Sequence, residues 1–235
     1  MAIFAIADLH LSLGTDKPMN VFGANWERHE ERLKEAWLSF VTESDTVLIP
    51  GDISWGMTQA EALPDLIFLD QLPGRKILSK GNHDYWWGTS GKLESFLCEN
   101  GLTTISFLKN NAFLADGHAI CGSRGWLLPQ DPEFKSSDQL IFERELARLE
   151  RSILAGKAIL GEKQGDLIAL LHFPPIMRFQ TESAFSQLLE KHGVRTCVYG
   201  HLHGRGHQKA FEGMKNGVEY LLVAGDYISF KPLRL

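Results

Sequence analysis

At 235 residues, with 44% hydrophobic and 23% charged side chains, the chain can bury a sizeable core, and its composition argues against disorder. A net charge of -5 and a pI near 6.0 give no general basic field for a phosphate backbone, which disfavours nucleic acid as a partner. Cys98, Cys121 and Cys197 are too few and scattered for a disulfide framework and read as small buried hydrophobes; with no basic leader and no apolar run of about 18 residues, the expectation is a cytoplasmic protein without a membrane segment.

The chain reads as one domain over 1–235, without repeat or linker. Residues 2–7 form an apolar run, expected to be a strand buried on both faces, that stops at Asp8-Leu9-His10. Extended backbone at that spacing places Asp8 and His10 on one side. Asn25 is the expected cap of a helix running through Glu43. A second buried strand over 46–50 ends in Gly51-Asp52. A helix over 58–72, which contains Pro64, leads to Lys76-Ile77-Leu78 and then to Gly81-Asn82-His83-Asp84, followed by Trp86 and Trp87. Gly81 is read as the residue that lets the backbone turn there.

A helix over 90–100 precedes short strands at 104–108, 112–115 and 118–121, with Asn110-Asn111 and Asp116-Gly117 as hairpin turns, so the middle of the chain reads as antiparallel. The spacing over 137–154 predicts a helix whose stripe of Leu140, Ile141, Leu146, Leu149, Ile153 and Leu154 belongs to the core. Another buried strand, 166–171, delivers His172. A helix over 183–192 and a strand over 196–199 lead to Gly200-His201-Leu202-His203-Gly204, and a late strand over 218–224 closes at Gly225-Asp226-Tyr227.

Five strand ends thus supply Asp8 and His10, Asp52, Asn82 and His83, His172, then His201 and His203. One histidine or one strand-terminal aspartate means little, because both are common as turn-formers and packed polar groups. Their recurrence at successive strand ends is what an α/β crevice site requires. Imidazoles, carboxylates and an amide without grouped thiolates suit manganese, iron, cobalt or zinc. The donors are too many for one tetrahedral ion and would suffice for two ions about 3.5 to 4 Å apart, bridged by a carboxylate.

In order and spacing, Asp8-x-His10, Gly51-Asp52, Gly81-Asn82-His83-Asp84, His172 and Gly200-His201-x-His203 resemble the motifs of the calcineurin-like metallophosphoesterase superfamily. The resemblance implies a four-layer α/β/β/α sandwich of two mixed sheets. It further implies that Asp8, His10 and His203 hold one metal, that Asn82, His172 and His201 hold the other, and that Asp52 bridges them. A hydroxide shared by the two ions would attack phosphorus, and His83 would help the leaving oxygen depart. Asp84 is read either as a hydrogen-bonder of the loop or as a participant in the reaction, and is not counted among the catalytic residues.

The chain departs from the protein serine/threonine phosphatases, since Trp55 and Gly56 stand where that branch has an acid and a phosphate-clamping arginine. This disfavours a phosphoprotein substrate and leaves His83 without an assigned orienting partner. No residue is assigned to substrate binding; Lys80, Arg124, Arg178 and Arg205 flank the motifs, with Arg124 and Arg205 the strongest. Trp55, Trp86, Trp87, Trp126 and Phe173 read as packing, with a stacking wall as the alternative. His29, His118, His192 and His207 fit no motif. The expected activity is hydrolysis of a phosphomonoester or phosphodiester in a small phosphorylated substrate. The alternatives are a non-catalytic scaffold of the same fold and a nuclease.

Overall fold

The computed structural model describes residues 1–235. Its strands alternate their side chains between two interiors. In β1 (Ile3–Ala5), Ile3 and Ala5 face one apolar core while Phe4 faces another. In β2 (Thr46–Pro50), Leu48 shares the core of Ile3, and Val47 and Ile49 join Phe4. This period of two, with every position buried, is what makes the runs read as uniformly apolar.

The first sheet adds β3 (Arg75–Ser79) and β4 (Ile105–Phe107) in parallel beyond β2, and the terminal β11 (Leu233–Arg234) pairs antiparallel with β1. Helices α1 (His29–Phe40), α2 (Gln59–Gln71) and α3 (Ser90–Glu99) contribute Leu33, Leu66 and Leu93 to its outer core. The second sheet runs β5 (Phe113–Ala115), β6 (His118–Ser123), β7 (Leu167–Leu171), β8 (Val194–Tyr199), β10 (Val218–Leu222) and β9 (Gly213–Lys215). Its four central strands are parallel and its two edges antiparallel. Helices α4 (Gln139–Leu160) and α5 (Ala184–His192) cover its outer face. A third core, with Ala5, Leu48, Ile120, Leu170 and Val198, lies between the sheets. Three cores separating four layers make this the α/β/β/α sandwich of two mixed sheets.

At one end the sheets join: Ala7 N–H donates to the Val223 carbonyl at 2.7 Å, and Gly225 N–H donates to the Ala7 carbonyl at 2.9 Å. The C-terminal ends of the parallel strands of both sheets therefore meet, and the motif loops leave from there.

Several sequence expectations need correction. Asn25 lies in a short 3-10 turn over Ala24–Trp26, and α1 starts after Arg28. The 104–108 strand is the parallel edge of the first sheet, so Asn110-Asn111 lies in the crossover between sheets; only β5 and β6 form a hairpin. Helix α4 runs six residues beyond 154 and buries Phe142, Glu145, Leu149, Ser152, Ile153, Gly156 and Leu160, while Leu140 and Leu154 face solvent. Hydropathy missed that phase because a glutamate, a serine and a glycine belong to the buried stripe. Cys121 and Cys197 are buried, but Cys98 is exposed. No helix is long and apolar enough to cross a membrane.

Lys76 is fully buried beneath the end of α2, its Nζ donating to the carbonyls of Leu72 at 2.5 Å and Gly74 at 2.8 Å. Burial pushes its pKa down to about 8. A depressed lysine pKa means that the unfolded chain binds more protons between about pH 8 and the ordinary 10.5, so stability rises across that window. The stability of wild type relative to Lys76→Met should therefore increase by up to about 3 kcal/mol from pH 8 to 10.5. Thermal melts read this, and a difference that stays flat over the window contradicts it.

Candidate metal centre

Four of the strand-end residues leave ordinary backbone space. Asp8, His10, Asp52 and His201 have φ of 56°, 45°, 52° and 72°. Left-handed backbone at non-glycine residues costs of order 1–3 kcal/mol each and clusters at functional sites. Asp8 and His10 are thus brought together by two sharp turns, and not by the extended spacing that the sequence suggests.

Two carboxylates are held by the loop backbone. The His83 N–H donates to Asp52 Oδ1 at 2.8 Å, and the His201 N–H donates to Asp8 Oδ2 at 2.9 Å. A Cβ on Gly81 would stand 2.0 Å from Asp52 Oδ1, and one on Gly200 would stand 2.2 Å from Asp8 Oδ2. Gly81 is required for this close approach; its φ is negative, so the expected turning role is not what selects it. Of the two roles left open for Asp84, the structure shows the hydrogen-bonding one: its oxygens accept from the N–H groups of Gly81, Asp52, Ile53 and Ser54 and from the Trp86 indole.

The seven expected metal donors converge, in two groups, with His83 beside them. In one, His10 Nε2 lies 3.3 Å from His203 Nε2 and 3.7 Å from Asp52 Oδ2, and His203 Nε2 lies 3.6 Å from Asp8 Oδ1. In the other, Asn82 Oδ1 lies 2.7 Å from His172 Nε2 and 2.9 Å from His201 Nδ1, with His172 Nε2 at 3.5 Å from Asp52 Oδ2. Asp52 Oδ2 is common to both. Donors separated in this way suit ligands of one ion with bonds of about 2.0–2.2 Å, and the nitrogen and oxygen set suits a first-row divalent metal.

Electrostatics agree with that fit at His10, His172 and His201, whereas His203 is a cation whose proton a metal would displace. Burial, reinforced by the neighbouring imidazoles, lowers the pKa of His10 far below normal; burial, only partly offset for each ring, brings His172 and His201 to about 3. All three are neutral and keep a lone pair for a metal. Burial also acts against charge on His203, but the carboxylates of Asp8 and Asp226 hold it up at about 10. Asp52 is raised well above the carboxylate range by burial and by the charges of Asp84 and Asp8, a repulsion that cations relieve.

Outer partners fix the rings. His172 Nδ1 lies 3.1 Å from the Pro50 carbonyl, and His203 Nδ1 lies 2.9 Å from Asp226 Oδ1. Asp226 escaped the sequence reading because Gly225-Asp226-Tyr227 looks like an ordinary turn, 23 residues from His203. His207, which fitted no motif, lies 3.3 Å from the other Asp226 oxygen. His29 is buried and bonds the Leu9 carbonyl, bracing the first motif loop.

His83 sits at the open side, 35% exposed, with Nε2 4.0 Å from Asp52 Oδ2 and Nδ1 without a partner. Trp55 occupies the place of an orienting acid. Its ring stacks on His10 at 4.9 Å and packs on His83 at 4.5 Å, and Lys17 Nζ caps it at 3.7 Å. Burial and then the Lys17 charge lower the His83 pKa, so the free ring is neutral near pH 7. Lys17, in a loop without a motif, carried no sequence signal. A cleft of ≈ 500 Å³ opens here, walled by Met19, Phe22, Trp26 and Trp55. Trp86 and Trp87 pack against each other and on Phe107, while Arg124 stacks on Trp126. Arg205 is exposed, in a short 3-10 helix over Gly204–Lys209.

The model of the calcineurin-like phosphoesterase family matches residues 1–205. The chain belongs to that family. Over 78 residues it is 38% identical to the Gene 66 protein of Mycobacterium phage L5, a stretch that makes up 33% of this chain and 37% of that protein. The chain therefore matches little more than a third of the length of that curated relative. Among solved structures it resembles the phosphopantetheinyl hydrolase (PptH) of Mycobacterium tuberculosis with a TM-score of 0.56 and 15% identity, covering 100% of this chain and 95% of the other. It also resembles the protein of unknown function AQ665 of Aquifex aeolicus, with a TM-score of 0.49, 18% identity and coverage of 99% and 95%. At such identities the likeness to PptH concerns the fold.

Proposed function

We propose that the chain hydrolyses a phosphomonoester or phosphodiester of a small substrate at a dinuclear centre of manganese, iron, zinc or cobalt. The observation that carries this is the pair of donor groups sharing Asp52 Oδ2, with His83 beside them. Asp8, His10 and His203 would hold one ion, Asn82, His172 and His201 the other, and Asp52 would serve both. Two divalent ions held there would supply Lewis acidity, lowering the pKa of water and offsetting phosphoryl charge. The donors come from both sheets, so the reading treats the whole chain as one catalytic domain.

His83 lines the cleft, and its Nε2 would give a proton to the departing oxygen. Its lowered pKa leaves it neutral in the free protein. A phosphate dianion beside it favours the protonated form, so substrate itself charges the acid. Trp55 holds the ring against rotation, replacing the hydrogen bond that an acid would make. A phosphopantetheinyl hydrolase as structural neighbour is in keeping with this reading without assigning a substrate.

Metal-reconstituted protein should release phenol from generic aryl phosphate mono- or diesters. Absence of turnover with manganese, iron, zinc and cobalt, while elemental analysis shows metal bound, overturns the proposal. Asp52→Asn should lower the content of both ions, because its Oδ2 lies against both donor groups; loss of one ion alone removes the bridging role.

A further inference from the structure

Beside the metal centre, at the same strand ends, lies a second pocket of ≈ 310 Å³ whose lining includes Lys80, Lys109, Arg124, Arg144 and Arg148, with Glu145 the only acid. Five cations against one carboxylate leave a local charge of about +4, in a chain whose net charge is -5.

The cations come from four elements. Lys80 follows β3, Lys109 follows β4, Arg124 follows β6, and Arg144 and Arg148 stand one turn apart on α4, the spacing that puts both on one helix face. Glu145 is 1% exposed; its Oε1 accepts from Arg148 Nη1 at 2.6 Å and lies 3.6 Å from Arg124 Nη2. The single acid thus aims two guanidinium groups and is consumed in doing so. Arg124 Nε is buried without a partner. Burial, and then repulsion from Arg148, lowers Lys109, a cost that a bound anion would reverse.

The pocket is built into the metal centre. The Arg124 carbonyl accepts from the N–H groups of His172 and Phe173, both at 3.0 Å, and Lys80 directly precedes Gly81-Asn82. The backbone that presents two metal donors therefore also presents two of the cations.

We propose that this pocket binds a second phosphate of the substrate, so that the molecule hydrolysed carries one phosphoryl group at the metal centre and another among Lys80, Lys109, Arg124, Arg144 and Arg148. Three guanidinium forks match a dianionic phosphate better than a single carboxylate. This inference rests on the phosphoesterase reading, and two measurements separate them.

The first compares turnover of alkyl monophosphates with that of matched terminal bisphosphates of increasing chain length by the metal-loaded protein. The bisphosphate of one length should exceed its monophosphate in kcat/KM by about tenfold or more, as charge-assisted hydrogen bonds to one dianion provide. That ratio should fall towards one in Arg144→Ala and in Lys109→Met, and recover in part in Arg144→Lys. A ratio near one for every length in wild type overturns the proposal.

The second is calorimetric titration of metal-free protein with inorganic pyrophosphate, which needs no catalysis. Binding that is weakened in both variants supports the pocket even if no ester is turned over. Absence of binding, or binding equal in wild type and both variants, overturns it while leaving the phosphoesterase reading to the aryl phosphate assay. Pyrophosphate binding without any bisphosphate preference assigns the pocket to free anions and overturns its role towards substrate.

Discussion

His83→Ala should lower kcat for an alkyl phosphate by about 10²- to 10⁴-fold, the usual contribution of a positioned proton donor, while metal content stays at the wild-type level. The geometry separates the two properties. His83 Nε2 stands 4.0 Å from Asp52 Oδ2, outside the close contacts that join His10 to His203 and Asn82 to His172 and His201. What His83 contributes to Asp52 is its backbone N–H, which alanine retains. The defect should also depend on the leaving group. A phenolate of low pKa departs without a proton, so the loss on an activated aryl phosphate should be much smaller than on an alkyl phosphate. An equal loss on both denies the proton-donor role, and loss of metal matching that of Asp52→Asn would make His83 part of the metal's support.

Asp84→Ala should be the most destabilising single change at the site, by about 4 kcal/mol or more, with a fall in Tm of about 8 to 16 °C. The side chain is fully buried and accepts from Gly81 N–H at 2.7 Å, Asp52 N–H at 2.9 Å, Ile53 N–H at 2.9 Å, Ser54 N–H at 3.3 Å and the Trp86 indole at 3.2 Å. Alanine leaves those donors in an interior with no acceptor. Because the same bonds tie the loop after β2 to the loop after β3, Asp52 and Asn82 lose their relative placement, and metal content should fall with stability. Asp84→Asn keeps the shape and one acceptor oxygen, so its cost should be intermediate. A variant that melts like wild type contradicts the assignment.

The strands and their terminal donors were legible because two-faced burial writes a strand as a short apolar run, and a polar residue that ends such a run stands out. Asp8, Asp52 and His172 were found in that way. What failed to show depends on the third dimension. Asp226 matters only because the join between sheets brings it to His203. Lys17 acquires its place from Trp55, and Arg144 and Arg148 read as an ordinary solvated helix face until α4 is laid beside β6. The α4 stripe was misread for a related reason: Ser152 is buried because its hydroxyl links the Gly122 N–H to the Asn111 carbonyl, a demand that hydropathy does not carry. The left-handed backbone at Asp8, His10, Asp52 and His201 has no signature in side chains chosen for their donor atoms.

The passage between the two sheets at Asn110-Asn111 also divides the proposed donor set along the chain: Asp8, His10, Asp52 and Asn82 precede it, and His172, His201 and His203 follow. A chain severed there would leave neither fragment with a complete set for either of the two proposed ions. Hydrolysis would then return only when the fragments reassemble across the inner core, which makes activity a direct reporter of the docking of one sheet on the other.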